Sequence, residues 1–165
     1  MKSIVIYSSL TGNTKQVAEA ITSVLPAGTP CVSMQELPSD VSSYDLVFAG
    51  FWVDKGTANK EARDVLGTLH NPYIALFATA GVPPQMAHAK ESLINAANCL
   101  PDGVEPVGTF ICQGKVDPKV IEMMYKMFPK GHSHGQSADR DARHKQAAVH
   151  PNEDDFKAAQ DFAQY

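Results

Sequence analysis

The sequence predicts an α/β protein built on a doubly wound parallel sheet. Five short apolar runs rich in β-branched residues are continuous rather than alternating, as strands buried on both faces are. Between them fall stripes of apolar residues at i, i+3 and i+4, the mark of helices that pack one face onto a sheet. The chain has 165 residues, 44% hydrophobic and 19% charged, which is enough for a single domain with a real core.

The first strand is Ser3 to Tyr7. Val17, Ala20, Ile21, Val24 and Leu25 give the first helical stripe, which Pro26 stops. The second strand centres on Cys31 to Ser33. The segment from Gln35 to Ser43 carries Pro38 and is too short for a long helix, so one or two helical turns are expected there. Asp45 to Gly50 is the third strand, followed by a stripe of Ala62, Val65, Leu66 and Leu69 that ends before Asn71-Pro72. Tyr73 to Thr79 is the fourth strand. A helix from about Gln85 to Leu100 follows, with Ala89, Leu93, Ala96 and Ala97 on one face. Val107 to Cys112 is the fifth strand. The last helix spans Glu153 to Ala163, just after Pro151, with Phe156, Ala159, Phe162 and Ala163 facing inward.

One segment exceeds this plan. Residues 115–149 separate the fifth strand from the last helix, where about 2–6 linking residues are usual. The segment holds a helical stretch, Pro118 to Phe128, whose Met123, Met124, Met127 and Phe128 suit packing into irregular gaps. Gly131-His-Ser-His-Gly135 and a polar stretch follow. It is too small to own a core and reads as an insertion within one domain of residues 1–165.

Composition narrows the function classes. Net charge is −4 with Lys and Arg scattered, which argues against a nucleic-acid footprint. No run approaches ~18 apolar residues, so no membrane span is expected. The opening Met-Lys-Ser-Ile-Val-Ile-Tyr is too short for a signal peptide's core. Cys31, Cys99 and Cys112 are odd in number and lack paired spacing, which points to a reduced, cytoplasmic setting. Cys112 reads as a core residue at a strand end, with a redox-active thiol as the alternative. His132, His134, His144 and His150 invite a metal site, but no Cys or carboxylate has matching spacing, and a polar loop is the preferred reading.

The densest chemistry lies at Ser8-Ser-Leu-Thr-Gly-Asn-Thr14, directly after the first strand. Ligands of open parallel sheets bind outside the carboxyl ends of the strands, at the switch in strand order. Here backbone N–H groups around Gly12, hydroxyls of Ser9, Thr11 and Thr14 and the Asn13 amide offer neutral donors where a helix begins. Such a loop can hold a phosphate monoester without Lys or Arg. The spacing fails the Gly-x4-Gly-Lys pattern of a nucleotide P-loop. A helix cap with a hydroxyl-rich turn is the plainer alternative.

Ser9-Leu-Thr-Gly-Asn-Thr14 resembles the phosphate loop of the flavodoxin family, Thr/Ser-x-Thr-Gly-x-Thr, and the likeness extends through all five strands. It implies a flavodoxin-like sheet of order 2-1-3-4-5 in three layers. It also implies FMN as cofactor and electron transfer between redox partner proteins, a carrier rather than a stand-alone oxidoreductase. The resemblance places the phosphate on Ser9, Leu10, Thr11, Gly12, Asn13 and Thr14. Trp52, the sole Trp, then stacks on one flavin face from the loop after strand three, with Val53 and Asp54 beside it. Thr79, Ala80 and Gly81 meet the pyrimidine edge, and Lys115 lies near the mouth of the site. Departures from the family include the lack of an aromatic in Thr79 to Pro84. A further one is Val53 next to Trp52, where a glycine is common. Phe110-Ile-Cys-Gln-Gly-Lys115 and His150-Pro-Asn-Glu-Asp154 look like a flavodoxin-like branch of anaerobic bacteria. The alternatives are a small NAD(P)H-dependent FMN reductase acting on quinone-like acceptors, or a flavin-free binding module. A receiver domain would use Asp54, Thr79 and Lys115, but Tyr7-Ser8-Ser9 stand where its acidic pair belongs, leaving a Mg²⁺ ion without ligands.

Overall fold

The computed structural model describes residues 1–82, 84–114 and 149–164. Along the chain run β1 (Ser3–Tyr7), α1 (Asn13–Thr22), β2 (Cys31–Ser33), β3 (Leu46–Asp54), β4 (Thr57–Ala58), α2 (Lys60–Leu66), β5 (Tyr73–Ala80), α3 (Ala87–Ala97), β6 (Gly108–Gln113) and α4 (Glu153–Gln164). Two 3-10 turns, Met34–Glu36 and Val41–Ser43, fill the stretch around Pro38 where one or two turns were expected.

Five strands pair in parallel in the order β2-β1-β3-β5-β6, which is the expected 2-1-3-4-5 once the two-residue β4 is set aside. β4 is the addition. It pairs antiparallel with the end of β3, Asp54 with Thr57 and Val53 with Ala58, so residues 51–54 extend a strand instead of forming a loop. The turn between them is Lys55-Gly56, with φ of 53° and 80°. Positive φ at both central positions is the two-residue hairpin geometry whose twist matches that of its strands.

The sheet is buried on both faces. One face, carrying Ile4, Ile6, Val47, Ala49, Phe51, Leu76 and Ala78, packs under α2 and α3 through Ala62, Leu66 and Ala96. The other, carrying Val5, Phe48, Ala75, Phe77 and Cys112, packs under α1 and α4 through Val17, Ala18, Ile21 and Ala159. Three layers follow, and the continuous apolar runs have their explanation.

The expected insertion lies, apart from Val149, outside the described residues. So do Lys115, the Met-rich stretch and His132, His134 and His144. Among the described residues, no helix is long and apolar enough to cross a membrane.

Candidate functional site

β1 hands the chain to α1 through Ser8–Gly12. Gly12 is the N-cap residue of α1, with φ 92° and ψ −7°, a left-handed conformation that costs an L side chain about 1–2 kcal/mol. This bend turns the loop back on itself. Ser9 Oγ accepts from Gly12 N–H at 3.1 Å and, at a longer 3.4 Å, from Lys15 N–H. Ser9 therefore braces the loop, and its own proton meets no acceptor among the described residues. Among the described residues, the N–H groups of Leu10, Thr11 and Thr14 meet no protein acceptor. Thr11 is exposed, as is the Leu10 side chain at 65%.

Thr14 differs from the expectation of a free donor. Its hydroxyl is buried and shares a hydrogen bond of 2.9 Å with the hydroxyl of Thr79 on β5. The Asn13 amide lies over Gly114, where a Cβ would come within 2.9 Å of its Nδ2. The first loop is thereby keyed to the ends of both β5 and β6.

The other expected residues meet at the same sheet edge. Trp52 pairs in register with Thr79, and Thr79 with Cys112. Alternation along β3 from Phe48 puts half-buried Trp52 on the α1 and α4 face, the face that also carries Thr79 and Thr14. Val53 packs on the opposite face and Asp54 opens the hairpin turn. Ala80 is buried, and its carbonyl accepts from Gly114 N–H at 2.7 Å. Gly81 O accepts from Gln113 Nε2 at 3.2 Å.

Asn59, Glu61 and Gln113 had no role in the sequence reading, and Ser8 stood there only as the opening of the loop. Ser8 donates to Glu61 Oε1 at 2.6 Å and accepts from Asn59 Nδ2 at 2.8 Å. Gln113 is 1% exposed, and one side-chain bond, to Gly81, ties β6 to the loop after β5. The available signal was position, since each stands at a strand end or helix start on the ligand edge.

Cys112 has the environment of a core residue. Burial pushes its thiol up to about 12, with the Asp155 charge adding to the rise, so it holds its proton. Cys31, Cys99 and Cys112 are all free thiols. His150 pairs through Nδ1 with Asp155, whose same oxygen accepts from Asn152 N–H at 2.9 Å. Asn152 Oδ1 returns bonds to Asp154 and Asp155 N–H, a reciprocal cap on α4. Among the described residues, no group of His, Cys, Asp and Glu is arranged to hold a metal ion.

An open parallel sheet with an uncharged, N–H-rich loop after its first strand and an aromatic at the end of its third is the arrangement of a flavodoxin-like α/β protein. The chain belongs to the flavodoxin domain family, which it matches over residues 4–164. It is 36% identical over 170 residues to the flavodoxin-like domain-containing protein BilS of Clostridioides difficile (strain CD3), covering 99% of this chain and 94% of that one. BilS of Clostridium symbiosum (strain WAL-14163) is 34% identical over 179 residues, covering 98% and 94% of the two chains. Among solved structures, the Streptococcus pneumonia TIGR4 flavodoxin superposes with a TM-score of 0.56 at 14% identity, over 98% of this chain and 94% of that one. A flavoprotein in complex with FMN from Lactobacillus acidophilus NCFM gives 0.54 at 18%, over 67% and 93%. At those identities the structures speak for the fold. Family and fold together support a flavin-binding redox protein.

The donor set fits the phosphate of FMN. Three N–H groups that meet no acceptor among the described residues, with the Ser9 and Thr11 hydroxyls, lie in the loop and first turn of α1, where the helix dipole favours an anion.

Proposed function

We propose that the protein binds FMN at the carboxyl edge of its sheet and, in the cytoplasm, carries electrons through it between redox partner proteins. The observation that carries this reading is the set of N–H groups of Leu10, Thr11 and Thr14 around left-handed Gly12, which meet no acceptor among the described residues. In this reading Ser9 to Thr14 hold the phosphate. Trp52 covers one flavin face with Val53 and Asp54 beside it, and Thr79, Ala80 and Gly81 meet the pyrimidine edge. Lys115 pairs with a flavin carbonyl oxygen or with an acidic partner. Bound FMN supplies the redox chemistry; the chain binds it, orients it and limits water around it. No side chain is required as a general acid or base.

The test is the absorption spectrum of the purified protein, before and after FMN addition, followed by assay of NAD(P)H oxidation. A carrier shows flavin bands and negligible turnover of NAD(P)H with quinones. Rapid turnover would make it a reductase, and a colourless protein that takes up no FMN would make it a binding module.

A further inference from the structure

Asn59 precedes α2 as its N-cap residue, yet its side chain caps nothing. An asparagine there ordinarily accepts from the N–H groups of the first turn. This one, 4% exposed, turns back to the sheet instead. Its Oδ1 accepts from Trp52 N–H at 3.3 Å, and its own N–H donates to Trp52 O at 3.1 Å. A regular antiparallel ladder would give Trp52 N–H the main-chain carbonyl of Asn59. That carbonyl is already committed to the helix, accepting from Arg63 N–H at 2.9 Å. The side-chain oxygen replaces it at the point where strand becomes helix.

The amide's other end reaches the first loop. Nδ2 donates to Ser8 Oγ at 2.8 Å, and Ser8, 3% exposed, donates onward to Glu61 Oε1 at 2.6 Å. Ser8 N–H also donates to Gly50 O at 2.9 Å. Protons therefore run one way, from amide to hydroxyl to carboxylate, and every bond in the run is shielded from full exposure.

We infer that Asn59 is a positioning residue for Trp52, and that Ser8 and Glu61 brace it. The start of the phosphate loop and the backbone of the aromatic then move as one body. Its consequence for ligand binding rests on the FMN reading above; its consequence for the free protein rests on the hydrogen bonds alone.

The experiment compares Asn59→Ala and Ser8→Ala with a control, Asn71→Ala. Asn71 is also buried, but its amide holds the carbonyls of Val41 and Tyr44 at the opposite edge of the sheet. Amide exchange in the flavin-free protein should quicken at Trp52 relative to Ala49 by at least about fivefold in Asn59→Ala, the loss of one net hydrogen bond. A smaller quickening is expected in Ser8→Ala and none in Asn71→Ala. With FMN, Asn59→Ala should weaken affinity and reduce quenching of Trp52 emission. Asn71→Ala should lower the thermal midpoint and leave both readouts unchanged.

Equal changes in Asn59→Ala and Asn71→Ala would overturn the inference, making Asn59 one more buried polar residue. Should Asn59→Ala fail to fold, Ser8→Ala decides, and an unchanged Trp52 amide there would overturn it too. A wild type that takes up no flavin refutes the FMN reading, while the exchange measurement still decides this inference.

Discussion

Thr11 and Thr14 lie in one loop, yet the structure separates their roles. Thr11 is exposed and makes no hydrogen bond among the described residues, whereas the Thr14 hydroxyl is buried against that of Thr79. Thr11→Ala should therefore weaken FMN binding by about tenfold, since a hydrogen bond to a charged group is worth roughly 1.5–3 kcal/mol. Riboflavin, which lacks the phosphate, should bind almost as before, and urea unfolding should not change. Thr14→Ala should instead lower stability by about 1 kcal/mol, leaving the Thr79 hydroxyl unpaired. Equal FMN and riboflavin losses in Thr11→Ala would remove the phosphate from this loop. Cys112 makes a separate residue-scale prediction. Its thiol is raised from 9.0 to about 12, so the folded state holds that proton more tightly than the unfolded chain. The associated stability is complete below pH 9 and is lost as pH rises towards 12. Unfolding free energy should then fall more steeply across that window in wild type than in Cys112→Ala. Parallel curves would show that the thiol does not govern alkaline stability.

β3 shows how much of an element could be read from sequence. Its beginning and its burial were legible, because Leu-Val-Phe-Ala is continuously apolar, and its pairing partners were implied only by the family resemblance. Its end was not: Gly50 looked like the close of a strand, but the strand continues to Asp54. The reason lies on the neighbouring strand, since a Cβ on Gly50 would collide with the ring of Phe77. Such a contact joins residues distant in sequence, and no local pattern reports it. The two-residue turn Lys55-Gly56 was equally quiet, with Lys where Asn or Asp more often marks such a turn. Likewise, the site's hydroxyl loop was visible as a motif, whereas the bond between Thr14 and Thr79 depends on how the sheet is assembled. Gly50→Ala should cost about 1–3 kcal/mol of stability through overpacking, measured by urea unfolding. Phe77→Leu should relieve part of that cost in the double variant, and strict additivity would show that the two residues do not compete for space. Because β3 also delivers Trp52 to the face of Thr79 and Thr14, emission from this sole Trp should be quenched by FMN and restored when FMN is removed. Unchanged emission would put Trp52 away from the ring.

At the scale of the molecule, both β6 and α4 meet the ligand edge. β6 ends at Gln113, where Gly114 N–H bonds to Ala80 O, and α4 begins beside α1 with its cap at Asn152. The 34 residues from 115 to 148 connect two points on that edge. Their number far exceeds the ~2–6 residues of an ordinary connection. The proposed contacts of Ser9 to Thr14, Trp52 to Asp54 and Thr79 to Gly81 all lie between β1 and the loop after β5, outside this segment. Replacing Val116 to Ala148 with a short Gly-Ser linker should therefore leave FMN affinity within about tenfold, an allowance of ~1.4 kcal/mol. Reduction of the bound flavin by a desalted extract of the source organism with NADH should slow much further in the proposed carrier, because the segment follows β6 at the edge proposed to meet its redox partner. Titration of Trp52 emission reads the first quantity and flavin absorbance the second. Loss of FMN binding in a variant with an intact circular dichroism spectrum would make the segment part of the cofactor site. An unchanged rate of reduction would instead free it of any part in partner approach.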